Sequence, residues 1–538
     1  MYLIDQHTKK IMEECKERAR AAGLSFNDET LEYIVTNRDL NNLSPKNMIP
    51  TLYDYWVHDV EVLREQGKYK LYPHNPYETV INSRPAISFY NDNNPDWLNI
   101  MIFYHVLAHI DFFQNNILFE KTWNDDFVGL ALSDKRLIES LRSEHGRWVD
   151  YVIEFSRCID NITGYYRDLP KYNLPSNMKP SAKLIFYFEV FLQEILKAPQ
   201  HDMFREIDRF NNIRQHNNNS DMAESVFFTE VRLKHPEFQA KFDNRKQADQ
   251  GPTDVMDFII KNSPFLKKEK NRWMTSVMSI VRNTSLYFGP QIRSKIMNEG
   301  WASYWHDELF RSDDRIKGHE VDYARINAGV TSLSRVGLNP YAVGMRLIQH
   351  VEDIANKGKF NFSFQKMDSI EDRDNFDSNT NKGKEAIFSL RKNFSDFMLL
   401  NTFVDQDFMK KHDLFVVDRR VNAERGVYEY YIKSRRAEDY RKMMMDSLYH
   451  PPLIKVSTDK TTEENLYLTH TFEGKQLYKP YISDVLMGIE YLWGAQVQLE
   501  TTEIVKDETT AEEPEEQSFV NRKALYTMKD KKISKTNL

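Results

Sequence analysis

DWLNIMIFYHVLAHIDFFQNNILFE, running from Asp96 to Glu120, decides how this chain is read. Asp96 supplies a helix start, and the residues after it are apolar almost all round the helix. A helix with that pattern is buried rather than amphipathic. Within it, His105 and His109 stand four residues apart. That spacing stacks both imidazoles on one face, with Cβ atoms about 5–6 Å apart. Two neutral imidazoles held this way are half of a zinc or iron site. The same spacing also suits two core histidines whose polar atoms find hydrogen-bond partners. The face continues through Phe112 to Asn116.

Upstream, residues 72–95 (YPHNPYETVINSRPAISFYNDNNP) are rich in proline, asparagine and short β-branched or aromatic runs, and read as extended chain or a hairpin ending in a loop. Residues 4–22 read as a charged helix ended by Gly23. Asn27-Asp28-Glu29 starts another that carries Leu31, Ile34 and Val35, and residues 51–65 form a third. Downstream, residues 133–166, 181–198 and 254–311 are helical. Residues 200–252 read as a polar, irregular excursion and 356–385 as a linker or exposed insertion. After about residue 400 the texture changes to short β-like runs (FVVDRR, YEYYIK, LIKVST, NLYLTHTF), one helix and a last strand, AQVQLETT. The expected fold is mainly α: a large helical domain over 1–400, a small α+β domain over 401–502 and a disordered charged tail over 503–538.

The 538 residues include 73 basic and 80 acidic ones, for a net charge of −7, so no overall basic field invites nucleic acid. No stretch approaches the roughly 18 apolar residues of a membrane helix, and the charged N-terminus lacks the apolar core of a secretory signal. Cys15 and Cys158 cannot build a disulfide framework or a Cys-only zinc site. The expectation is a soluble, cytoplasmic chain. P-loop, GxGxxG, GxSxG and HExxH strings are all missing, which removes the common nucleotide cradles and hydrolase signatures.

A second constellation is KIMNEGWASYWH (Lys295–His306). Glu299 and His306 lie seven residues apart, two helical turns, and share a face within about 20°. Ala302 and Ser303 between them are small and admit a facing helix. Opposite the histidine pair, they would complete a His-His-Glu or His-His-Glu-His metal set; the alternative is an aromatic packing helix with a surface Glu and His. A third set, Glu144, His145, Arg157, Asp160 and Asn161, would orient a ligand histidine or form a solvated helix face. GLNPYAVG (Gly337–Gly344) is a turn followed by a helix start, with Pro340 early in the helix.

KIMNEGWASYWH, the histidine helix ending in DFFQNN, the VINSRPAISFYNDNN stretch before it and GLNPYAVG together resemble the SpoVR family (stage V sporulation protein R-like). The resemblance spans most of residues 50–350, and LWGAQVQLET near the C-terminus fits as well. It implies a cytoplasmic protein tied to spore cortex formation or, in bacteria that do not sporulate, one encoded beside a PrkA-type serine protein kinase and a von Willebrand A-like protein. Family members often carry acidic residues after Ile-Val-Arg, where this chain has Asn283, Thr284 and Ser285. The EGWA string is also similar to zincin-like proteins, where a glutamate on a later helix completes a zinc site. Glu299 fits that role, and with the matched half-sites the metal, zinc first and iron or manganese as alternatives, would be held by His105, His109 and Glu299, with His306 as a fourth ligand or proton shuttle. Val106 stands where a zincin has its general base, so Glu308 or His145 would have to serve. Two functions follow: a metal-dependent hydrolase of amide or peptide bonds, or a regulatory scaffold acting with the kinase and the von Willebrand A-like protein. A homo-oligomer is compatible with both.

Overall fold

The computed structural model describes residues 2–36, 78–119, 127–160, 254–333, 337–422, 426–448, 452–506 and 519–538, a few positions inside these ranges excepted, and residues 181–248 in discontinuous pieces. The helix expected over 51–65 lies outside the described residues. The described residues are mainly helical and form three small sheets. No described helix is long and apolar enough to cross a membrane.

The histidine helix spans Asp96–Asn115 and is buried continuously from Leu98 to Phe113. Pro95 takes the cap position, and Asp96 sits in the first turn, where the helix dipole favours a carboxylate. On it lies the Glu299 helix, Lys295–Arg311, which in turn packs along the Tyr341 helix, Pro340–Asn356. The last two cross at Gly300 and Gly344. A Cβ on Gly344 would stand 2.1 Å from the Ile296 carbonyl oxygen, so only hydrogen fits there. This is the structural content of GLNPYAVG: Asn339 caps the helix, accepting from the Tyr341 and Ala342 amides, and Gly344 forms the crossing.

A four-stranded sheet covers the same core in the order β1 (Tyr2–Leu3), β2 (Thr30–Val35), β4 (Ala86–Asn91), β3 (Glu78–Ile81). The helix expected after Asn27 is therefore strand β2, parallel to β4. Its apolar residues satisfy either period, and pairing with a distant strand decides the outcome. β3 and β4 form the anticipated hairpin, with Glu78 opposite Tyr90.

The boundary drawn at residue 400 does not separate two cores. The core around the histidine helix also takes in Val416, Tyr440 and Met444. A second core joins helices of residues 138–281 to the C-terminal sheet. That sheet runs β11 (Lys532–Asn537), β10 (Phe519–Lys529), β9 (Gln496–Lys506), β8 (Asn465–Thr471), β7 (Leu453–Val456). The tail expected to be disordered thus supplies two strands. β10 buries Ala524, Tyr526 and Met528 on alternate positions, a period-2 pattern hidden by the charged average composition. Residues 200–252 likewise contribute helices Ser220–Lys234 and Phe238–Ala248, whose Phe227, Phe228, Val231 and Phe238 close a third, aromatic core.

Candidate metal centre

Three buried carboxylates fix the elements that build the centre. Asp111, on the histidine helix, accepts from Trp301 Nε1 at 2.8 Å and from the Ser25 amide at 2.7 Å, and meets Arg391 Nε at 3.4 Å. Asp396 accepts from the Ile296 and Met297 amides at 2.8 Å each, holding the open first turn of the Glu299 helix. Asp307 accepts from Tyr323 and, at 3.2 Å, from Asn327 Nδ2. Burial pushes the Asp396 carboxyl up from 3.8 to about 7, with the Glu299 charge adding to it. Burial lifts Asp111 to about 6, opposed by Arg391. Both groups hold a proton more tightly in the folded chain than in the unfolded one, so their contribution to stability is complete below 3.8 and declines as pH rises toward 7. The thermal midpoint should fall across that window, and Asp396→Asn should flatten the fall; an unchanged slope would assign it to other groups.

Between these supports the two half-sites meet. His105 Nε2 and His109 Nε2 face each other at 3.1 Å. His109 Nδ1 lies 2.8 Å from Asn298 Oδ1, His105 Nδ1 lies 2.9 Å from His306 Nδ1, and His306 Nε2 lies 3.0 Å from Asn327 Oδ1. With all three imidazoles neutral, these contacts order the protons. Asn327 donates its amide hydrogens to Asp307, so its oxygen faces His306, whose Nε2 must donate. His306 Nδ1 is then a bare acceptor, and His105 Nδ1 donates to it. His109 Nδ1 donates to Asn298. Two lone pairs, on His105 Nε2 and His109 Nε2, are left pointing at one another. Burial, together with the neighbouring His109 and His306, holds His105 well below the usual histidine range, so it does not relieve the conflict by taking a proton. Burial lowers His306 also.

Two carboxylates approach the pair. Glu78, from β3, places an oxygen within 4.8 Å of ligand nitrogens of both His105 and His109. Glu299 Oε2 is 3.5 Å from His109 Nε2, and the Glu299 charge lies close enough to the Tyr341 hydroxyl to add to the upward push of burial on it. The Tyr341 ring stacks on His105 at 6.2 Å and 17°. The three imidazoles are buried, and Glu78, Glu299 and Tyr341 are partly buried.

All four residues expected to hold a metal therefore converge, with His306 behind His105 rather than beside His109. The two expected bases do not join them. Glu308 lies two residues from His306, on another face of the helix, and pairs with Lys384 at 3.4 Å. His145 stacks on Trp273 at 4.3 Å, next to Glu144. Arg157 pairs with Glu154; Asn161 and the Asp160 side chain lie outside the described residues. Glu78, Asn298, Asn327 and Tyr341 were not assigned from sequence. Asn298 and Tyr341 stood in strings already singled out and Glu78 in the stretch read as extended chain; Asn327 stood in none of them.

A family model described as SpoVR like protein matches residues 5–450, which takes in both half-sites. Uncharacterized protein YcgB of Escherichia coli (strain K12) is 22% identical over 496 residues, covering 87% of this chain and 86% of that protein. No solved structure matches. With the family model covering the larger part of the chain, from the N-terminal helix through the histidine and Glu299 helices, this protein belongs to the SpoVR family.

Proposed function

We propose that this chain is a metal-dependent hydrolase of the zincin-like type, acting on an amide or peptide bond, with His105, His109 and Glu78 as the metal ligands. The carrying observation is the 3.1 Å approach of the His105 and His109 Nε2 atoms, with a Glu78 oxygen within 4.8 Å of the histidine ligand nitrogens. A tetrahedral zinc with bonds of roughly 2.0–2.1 Å separates two nitrogen ligands by about 3.3–3.4 Å, close to that approach. The N and O donors suit zinc first, and iron or manganese as well. When bound, such a cation supplies a Lewis acid. The chain's own residues do the rest. Glu299, with its Oε2 3.5 Å from His109 Nε2, is placed to accept a proton from an attacking water. It replaces Glu308 and His145 in that role. Peptide fragments of the cell wall, in keeping with a sporulation- or stress-linked role, are the first substrates to try.

The experiment is elemental analysis of freshly purified, untagged chain. Wild type is expected to carry close to one equivalent of zinc, iron or manganese, retained in His145→Ala and lost in His109→Ala and Glu78→Ala. A wild type without metal, folded and soluble, overturns the reading. The scaffold alternative, with a PrkA-type kinase and a von Willebrand A-like protein as partners, draws on the position of both expected bases outside the centre. Bound metal without hydrolysis of any amide, and recovery of the kinase from cells, would favour it.

A further inference from the structure

The ribbon of β5 (Val416–Asn422) and β6 (Val427–Ser434) forms a two-stranded sheet of its own, and no third strand pairs with it among the described residues. Its base is anchored, with Leu414 and Val416 in the first core. Its length is not: Tyr428, Tyr430, Tyr431 and Ile432 are 59%, 57%, 43% and 47% exposed. A two-stranded ribbon is marginal alone, and a long apolar edge is a template for another strand.

The register sorts the side chains onto two faces. Val421 opposite Tyr428, Arg419 opposite Tyr430 and Val417 opposite Ile432 give one largely apolar face. Asp418, Arg420, Glu429, Tyr431 and Lys433 share the other. There Arg420 meets Glu429 at 3.2 Å and Lys433 meets Asp418 at 2.9 Å.

We propose that the β6 edge pairs antiparallel with the β6 edge of a second copy of this chain, with Tyr431 on the two-fold axis. In that register Glu429 stands opposite the second copy's Lys433, and Lys433 opposite its Glu429. Tyr430 meets Ile432 on the apolar face. Each row of charges then runs unbroken across four strands: Arg420, Glu429, then the second copy's Lys433 and Asp418. Other registers lose this match. An axis on Tyr430 sets Glu429 opposite Tyr431 and Lys433 opposite Val427; an axis on Glu429 opposes like charges. Along β5, an axis on Arg419 pairs Asp418 with Arg420 but sets Arg419 against itself. The sequence of β6 is self-complementary in one register, which is what an isologous interface requires.

Sedimentation of the full chain across the micromolar range tests this. Wild type is expected to be dimeric. Glu429→Lys and Lys433→Glu each set like charges opposite one another at two symmetric places and should weaken the dimer roughly tenfold. Reversing the whole row (Asp418→Lys, Arg420→Glu, Glu429→Lys and Lys433→Glu) restores opposite charges both within each ribbon and across the axis and should restore the dimer. Tyr431→Cys should form a disulfide-linked dimer on mild oxidation, because residues facing each other on the axis lie about 4.5–5.5 Å apart at Cα. Tyr428→Cys, whose counterpart in the second copy lies far along the strand, should not. A wild type that stays monomeric overturns the proposal and leaves the edge to a strand from another protein. So do single reversals that leave the dimer intact, or a four-fold reversal that fails to recover it.

Discussion

Gly344→Ala is expected to cost more than about 3 kcal/mol, at the upper end of what adding one methyl to a packed interior does. The added carbon would meet backbone on two sides, 2.1 Å from the Ile296 carbonyl oxygen and 2.8 Å from the Gly300 Cα. Neither is the loose end of a side chain, so the two helices must part. Gly300→Ala meets the same obstacle from the other side, with its Cβ 2.3 Å from the Gly344 carbonyl carbon. The damage should reach the candidate metal centre, because Glu299 precedes one glycine and Tyr341 lies three residues before the other. Parting the helices separates Tyr341 from Glu299 and from the His105 ring. Gly329→Ala is the control: nothing lies within 4 Å of its Cβ, and it sits inside the helix Glu320–Thr331. It should gain roughly 0.5–1 kcal/mol from helix propensity and a less flexible unfolded chain. Thermal melting and limited proteolysis of the three variants, with bound metal measured on each, would check this. A Gly344→Ala chain as stable as wild type would mean that the crossing has room the geometry denies it.

Two features of the centre were legible in the sequence because their signals are local. The histidine helix announces its burial through an apolar surface with no polar stripe, and four-residue spacing puts both imidazoles on one side. Glu299 and His306 follow from the same arithmetic, and the small Gly300, Ala302 and Ser303 mark a helix that others approach closely. Glu78 gave no such signal. It is one carboxylate in the four-residue strand Glu78–Ile81, and its place beside the histidines is set by pairing with β4, a contact between segments. Glu308 and His145 illustrate the converse. Both are chemically suited to a base, but helical phase turns Glu308 toward Lys384, and tertiary packing sends His145 to Trp273. The strands of the C-terminal tail were missed for another reason. Averaged over residues 503–538 the composition is charged, whereas Ala524, Tyr526 and Met528 alone carry the burial that orders β10.

His306 separates two descriptions of the proposed metal centre, and its removal is expected to give the larger effect on affinity among residues that would not bind the metal. As a ligand, it would be equivalent to His109. As the acceptor behind His105, it sets the tautomer: its Nδ1 takes the His105 Nδ1 hydrogen at 2.9 Å and so keeps the His105 Nε2 lone pair toward the centre. The chain of donors behind it, His306 Nε2 to Asn327 and Asn327 to Asp307, fixes the direction of that hydrogen bond. Orienting groups of this kind are worth roughly 10–100-fold in metal affinity. His306→Ala should therefore weaken zinc binding by that factor while leaving about one equivalent bound at saturation. Asn327→Ala keeps the imidazole but frees it to turn over, and should fall at the lower end of the range. Glu308→Ala, paired with Lys384 on another face, should leave affinity unchanged. Competition with a chromophoric chelator reads all three. If His306→Ala abolished binding as completely as His109→Ala, His306 would be a ligand in its own right, and the hydrogen between His105 and His306 would have to give way to the metal.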